Sequence, residues 1–353
     1  MTLWHLHWEK ILCQNNGMNK SEPQKQSFPA TRMRRPRLQD WGRRLVRETK
    51  LDVDNLIWPL FVREGDGAPE PVEALPGVNR LSIADAVDHA RQARDLGIPA
   101  IALFPRIDAD DKDEDGTKAT DDNNLVCRCV AAVREAVPEI GLITDIALDP
   151  FTTHGHDGII RDGQVANDET VEILVRQAIV QARAGATIIA PSDMMDGRVQ
   201  AIRQGLDAEG FSDVMIMSYA AKYASCFYGP FRNAVGAGKT AAAIGKDTYQ
   251  MDPANTDEAM REIAIDIAEG ADLIIIKPGM PYLDIIQRAT ARFEIPVIAY
   301  QVSGEYAMIE AAAAAGHLDR DRAIMETLTG FRRAGADAIM TYHAAEVAAK
   351  LQG

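Results

Sequence analysis

From Leu56 onward, apolar residues come in compact runs separated by longer mixed stretches. Eight runs stand out: LIWPLFV (56–62), AIALF (100–104), GLITDIAL (141–148), TIIAPSD (187–193), VMIMSYAAKY (214–223), LIIIKPG (273–279), PVIAYQVSG (296–304) and AIMTYHA (338–344). Between most of them the polar and apolar positions take a helical period, as in 82–96, 124–137, 169–184, 257–269 and 282–293. Turns containing AGA or EGAD follow several of these stretches, as a glycine helix stop should. Runs that are apolar throughout, rather than alternating, belong to strands buried on both faces, and so to a parallel sheet. Eight strand–helix units close most naturally as an α/β (β/α)8 TIM barrel, with an open doubly wound sheet as the alternative.

A barrel puts its chemistry at the carboxyl ends of its strands. Those ends are polar here: Asp149 after the third run, Ser192 and Asp193 in the fourth, Lys222 in the fifth, Lys277 in the sixth, Ser303 in the seventh and Tyr342 in the eighth. Lys277 follows four aliphatic residues, Leu273 to Ile276. An ammonium buried there costs several kcal/mol unless a carboxylate pairs with it or it gives up its proton. Lys222 ends the neighbouring run, so the two amines can face each other, and each charge then lowers the other's pKa. A neutral amine attacks carbonyls, which is what Schiff-base catalysis requires. The bland reading is one salt-bridged and one solvent-facing lysine.

Composition narrows the function classes. A net charge of −14 argues against phosphate-backbone binding, and no apolar run is long enough for a bilayer span. Four cysteines without scaffold spacing suit a reducing, cytoplasmic compartment. Residues 1–30 read as a disordered or artefactual extension, with Met18 a possible start. Residues 31–50 read as an arm, and 51–353 as the catalytic barrel. Seven arginines lie between Arg32 and Arg47, and in so acidic a chain they suit docking on another subunit better than nucleic acid.

Three local patterns are weaker than they look. GAGKT (236–240) lacks the glycine five residues earlier that a phosphate loop needs, since Asn233 stands there. DKDEDGTKATDD (111–122) spaces Asp111, Asp113 and Asp115 like a calcium loop but ends in Asp122 rather than glutamate. Cys127 and Cys129 sit two apart in a helical stretch and point away from each other. A fourth pattern, DIALDPFTTHGHDG (145–158), holds three aspartates and two histidines, a density of oxygen and imidazole ligands that suggests a metal.

MIMSYAAKYASCFYGPFR, YQMDPAN, EGADLIIIKPGMPYLDI, YQVSGEY and APSDMMDGRV together resemble the 5-aminolevulinate dehydratase (porphobilinogen synthase) family, in order from about Arg32 to the C-terminus. The resemblance implies a TIM barrel with an N-terminal arm, commonly assembled as a homooctamer. It implies condensation of two 5-aminolevulinate molecules to the pyrrole porphobilinogen, with loss of two waters, in tetrapyrrole synthesis. Lys277 and Lys222 would form the two Schiff bases. Ser303 and Tyr342 would hold the first substrate's carboxylate, Arg232, Lys246 and Gln250 the second, with Ser192 also at the substrate. The segment NAVGAGKTAAAIG between Arg232 and Lys246 would be a mobile lid. Where the zinc-dependent branch has three cysteines, this chain has Ala147, Asp149 and Asp157, so no catalytic zinc is expected and both carboxylates would meet the substrate's amino group. His154 and His156 would then only support or pack the loop. Glu262 matches a glutamate that binds an activating magnesium in several bacterial relatives.

Overall fold

The structure, a computed structural model, describes residues 28–236 and 244–352. The chain divides at Glu48/Thr49 into two compact units. The N-terminal unit carries a short helix, Asp40–Leu45, and exposes Phe28, Met33, Leu38, Trp41, Leu45 and Val46. The remainder is a closed barrel of eight parallel strands. These are β1 (Leu56–Arg63), β2 (Ala100–Arg106), β3 (Gly141–Ile146), β4 (Ile188–Pro191), β5 (Met215–Lys222), β6 (Leu273–Lys277), β7 (Val297–Tyr300) and β8 (Ala338–Met340). Each pairs with the next, and β8 returns to β1 through Leu56↔Ile339 and Ile57↔Met340, which closes the ring. The open-sheet alternative is thereby excluded.

Helices α1 (Ile83–Asp95), α2 (Leu125–Ala136), α3 (Asn167–Ala184), α4 (Arg198–Ala208), α5 (Asp257–Ala268), α6 (Leu283–Arg292), α7 (Arg320–Ala334) and α8 (Ala344–Gln352) surround it. Ser82, Asn124 and Asp319 cap α1, α2 and α7 by accepting backbone N–H bonds, which fixes where those helices begin. Side chains on alternate strand positions divide into two cores. Ile57, Phe61, Phe104, Ile143 and Ile275 fill the barrel, while Leu60, Leu103, Ile274 and Ile276 pack outward beneath the helices.

The apolar runs overshoot the strands. The third run ends its sheet pairing at Ile146, the fourth at Pro191, the seventh at Tyr300 and the eighth at Met340. Asp149, Ser192 and Tyr342 therefore stand on loops above the barrel, and Ser303 too lies beyond its strand. Ser303 in fact opens a helix, Ser303–Ala314. The reason lies in Glu305, whose buried carboxylate accepts the Val302 N–H at 2.5 Å and pulls the chain out of the sheet into a helical turn.

Candidate functional site

Lys277 is placed by simple alternation: Ile275 faces the barrel interior, so Lys277 does too. Lys222 is not. Tyr219 points inward, and three residues on an unbroken strand would turn Lys222 outward. A bulge intervenes, since Ile274 pairs with Ser218 but Ile276 pairs with Ala221, giving β5 one extra residue. Beyond it Lys277 lies beside Lys222 in register, so both amines rise into the same mouth.

Their surroundings differ. The Lys277 amine sits 5.0–5.2 Å from the ring centres of Tyr219, Tyr228, Phe231 and Tyr300. Burial, followed by the positive charge of Lys222, lowers its pKa to about 7, although Asp145, Asp149 and Asp157 pull the other way. Lys222 instead donates to Asp157 Oδ2 at 3.3 Å and to the Ser192 carbonyl. The bland assignment of one exposed and one paired lysine fails, because both are at least nine-tenths buried.

Asp157 is the hub of the second half of the site. It accepts from Lys222, from Lys246 at 2.9 Å and from Gln250 Nε2 at 3.3 Å. Burial works to raise its pKa, but Lys222 and then Lys246 outweigh it and hold the carboxyl well below the usual range. Asp149 lies 3.4 Å from the same Lys246 ammonium, yet burial pushes its pKa up. Arg232 is exposed on the helix Gly229–Val235, with its charge bearing on Lys246. In the other half, the Ser303 hydroxyl accepts the Phe231 N–H at 2.9 Å, and the Tyr342 hydroxyl meets that of Tyr300 at 3.1 Å.

Sequence reasoning missed one residue. Asp145 shares the inward parity of Ile143 on β3, and among the described residues its Oδ1 has no hydrogen-bond partner. Burial raises its pKa to about 7, with Lys277 as the main opposing charge, so it can hold or release a proton near neutrality. The signal was available: an aspartate at an inward position of a buried strand.

The two histidines build the loop. His156 Nδ1 lies 3.1 Å from the Tyr249 hydroxyl, which also accepts the Asp157 N–H at 3.3 Å. His154 Nε2 lies 3.0 Å from the Glu114 carbonyl. Burial lowers the pKa of both, which favours neutral rings. Among the described residues no three His, Cys, Asp or Glu side chains gather as a metal cluster. Glu262 is separate, on α5, half-buried at the edge of a cavity of about 740 Å³ that it shares with Asp196, Asp247 and Glu258. Burial raises its pKa, and nearby Arg198 opposes the rise.

Of the weaker patterns, Asp113 spends its carboxylate on the N–H groups of Asp115 and Thr117, which makes a turn. Cys127 and Cys129 are buried in α2, and burial pushes both thiols up to about 12. Residues 1–27, most of GAGKT and the centre of the expected lid (237–243) lie outside the described residues. No described helix is long and apolar enough to cross a membrane.

Comparison with known proteins bears on the same residues. The family profile for delta-aminolevulinic acid dehydratase matches residues 30–350. The delta-aminolevulinic acid dehydratase of Bradyrhizobium diazoefficiens is 59% identical over 323 residues, covering 92% of this chain and 91% of that protein. That of Rhodobacter capsulatus is 51% identical, covering 92% and 98%. The crystal structure of the Toxoplasma gondii ME49 enzyme with its reaction product porphobilinogen superposes with a TM-score of 0.88 at 45% identity, covering 91% of each chain.

Proposed function

Because the chain belongs to the delta-aminolevulinic acid dehydratase family, we propose that it condenses two 5-aminolevulinate molecules to porphobilinogen with release of two waters, through Schiff bases on Lys277 and Lys222. The observation that carries the reading is the in-register pair of buried amines, one of them brought to about 7 by burial and by the positive charge of its neighbour. At neutral pH a large share of Lys277 is unprotonated. Its lone pair adds to the substrate ketone, and loss of water leaves an imine. Asp145, brought to about 7 by burial and with its charge bearing on Lys277, would give the departing oxygen its proton and take one back later. The imine draws electrons from the adjacent carbon, so that carbon can lose a proton and bond to the second substrate without a free carbanion. Ser303 and Tyr342 would hold the first carboxylate by hydroxyl donation; Arg232, Lys246 and Gln250 would serve the second. Two anchored ends supply the orientation on which a two-substrate condensation depends.

The donor set speaks against a zinc-dependent branch. Ala147 offers no ligand, and between Asp149 and Asp157 stands an ammonium, not an open coordination position. Around Glu262 the acidic cavity suits a hydrated hard cation, which needs only one or two carboxylates, and magnesium there would act as an activator. The arm, with its arginines and exposed apolar side chains, supports assembly with further copies; the octamer is what membership of the family implies for their number. Three unpaired cysteines among the described residues fit a cytoplasmic setting.

The test is pyrrole formation from 5-aminolevulinate by chelator-stripped protein, repeated with magnesium and with zinc. Activity without added metal, or restored by magnesium alone, is expected. Restoration only by zinc would overturn the assignment of Asp149 and Asp157, and no pyrrole under any condition would remove the function.

A further inference from the structure

The position between the carboxylates of Asp149 and Asp157 is filled by an ammonium of the protein itself. The Lys246 Nζ lies 2.9 Å from Asp157 Oδ1 and 3.4 Å from Asp149 Oδ2, with all three side chains at most 10% exposed. We propose that Lys246 is the internal occupant of a cation position between Asp149 and Asp157, and that substrate enters by exchange: the ligand's ammonium takes the acidic pair while its carboxylate takes Lys246. This deepens the dehydratase reading and rests on it.

Charge balance is what makes the exchange selective. Asp149 and Asp157 are buried together, and among the described residues Lys222 is the cation that stays paired with Asp157 if Lys246 leaves, with Gln250 still donating to it. A ligand with a carboxylate but no amine would draw Lys246 away and leave two buried carboxylates short of a cation, which costs several kcal/mol. A ligand with an amine but no carboxylate would expel Lys246 towards Arg232, whose like charge already bears on it. Only a molecule with both groups keeps every charge compensated at each stage. The second subsite is therefore selective for amino-terminated keto acids, and Lys246 determines that specificity as well as anchoring the carboxylate.

The two roles predict opposite signs for one ligand. 1-Aminopropan-2-one has the amine and the ketone but no carboxylate, and its imine with Lys222 can be trapped by borohydride and located by peptide mass spectrometry. In full-length Lys246→Met and Lys246→Gln, the concentration giving half-maximal trapping should fall about tenfold, within the usual range of a coupling between sites. Over the same variants the KM for 5-aminolevulinate should rise. A Lys246 that only anchors carboxylate leaves aminopropanone trapping unchanged, and that result, or a weaker affinity in both variants, overturns the proposal. Should neither variant fold, the unaltered protein provides the reading. Propionate, by drawing Lys246 away, should strengthen aminopropanone trapping at Lys222; no effect or competition would overturn the exchange. Pyrrole formation by the unaltered protein, measured alongside, separates failure of the exchange from failure of the dehydratase assignment.

Discussion

Lys277 and Lys222 are the same residue type on paired positions, yet their neighbours give them different properties. Lys277 faces four aromatic rings, and Lys222 faces a carboxylate and a carbonyl. The pKa of Lys277 is lowered from the usual 10.5 to about 7, so its nucleophilic form grows as pH rises through that value and is lost below it. Borohydride trapping of levulinate on Lys277 should therefore rise with pH around 7 and then level off. An inflection near the ordinary lysine value would contradict the geometry. Lys277→Met should lose trapping at this position and reduce pyrrole formation by on the order of 10³-fold or more, as removal of a nucleophile does. The sequence displayed the charge and its apolar approach; the aromatic cage comes from four separate elements and was not legible.

Between elements, the site depends on ties that carry no chemistry themselves. Glu305 accepts the Val302 N–H and the Met280 N–H, each at 2.5 Å, one with each carboxylate oxygen. It thereby joins the loop after β6, which follows Lys277, to the start of the helix that carries Ser303. Glu305→Gln keeps the volume but turns a donor towards one of these N–H groups, and an unmade buried hydrogen bond costs about 1–3 kcal/mol. The half-saturating concentration of levulinate at Lys277 should rise by about tenfold. Trapping at unchanged concentration, with only a lower melting temperature, would show that the tie serves stability alone. The runs and the helical period were readable because burial on two faces, or on one stripe, dictates them. Strand ends were not, because a loop residue above a barrel can be as apolar as the strand beneath it.

At the scale of the molecule, the barrel buries its own cores, while the N-terminal unit leaves Trp41, Leu45 and four other large apolar residues exposed beside its arginines. Exposed apolar surface of this kind marks a contact surface. A chain beginning at Thr49 should sediment as a smaller assembly than the full chain; an unchanged sedimentation coefficient would remove the arm from assembly. The sequence by itself determined the eight-unit barrel, the two lysines and the absence of cysteines at 147, 149 and 157, because periodicity and residue identity are local properties. Tertiary structure alone decided that Lys222 faces inward, through one extra residue in β5. It alone brought the charges of Asp145 and Lys277 to bear on each other and put Lys246 between two aspartates. Each of these outcomes depends on how strands and loops distant in sequence meet at the barrel mouth, where burial and neighbouring charge set the chemistry of groups whose identity was known from the start.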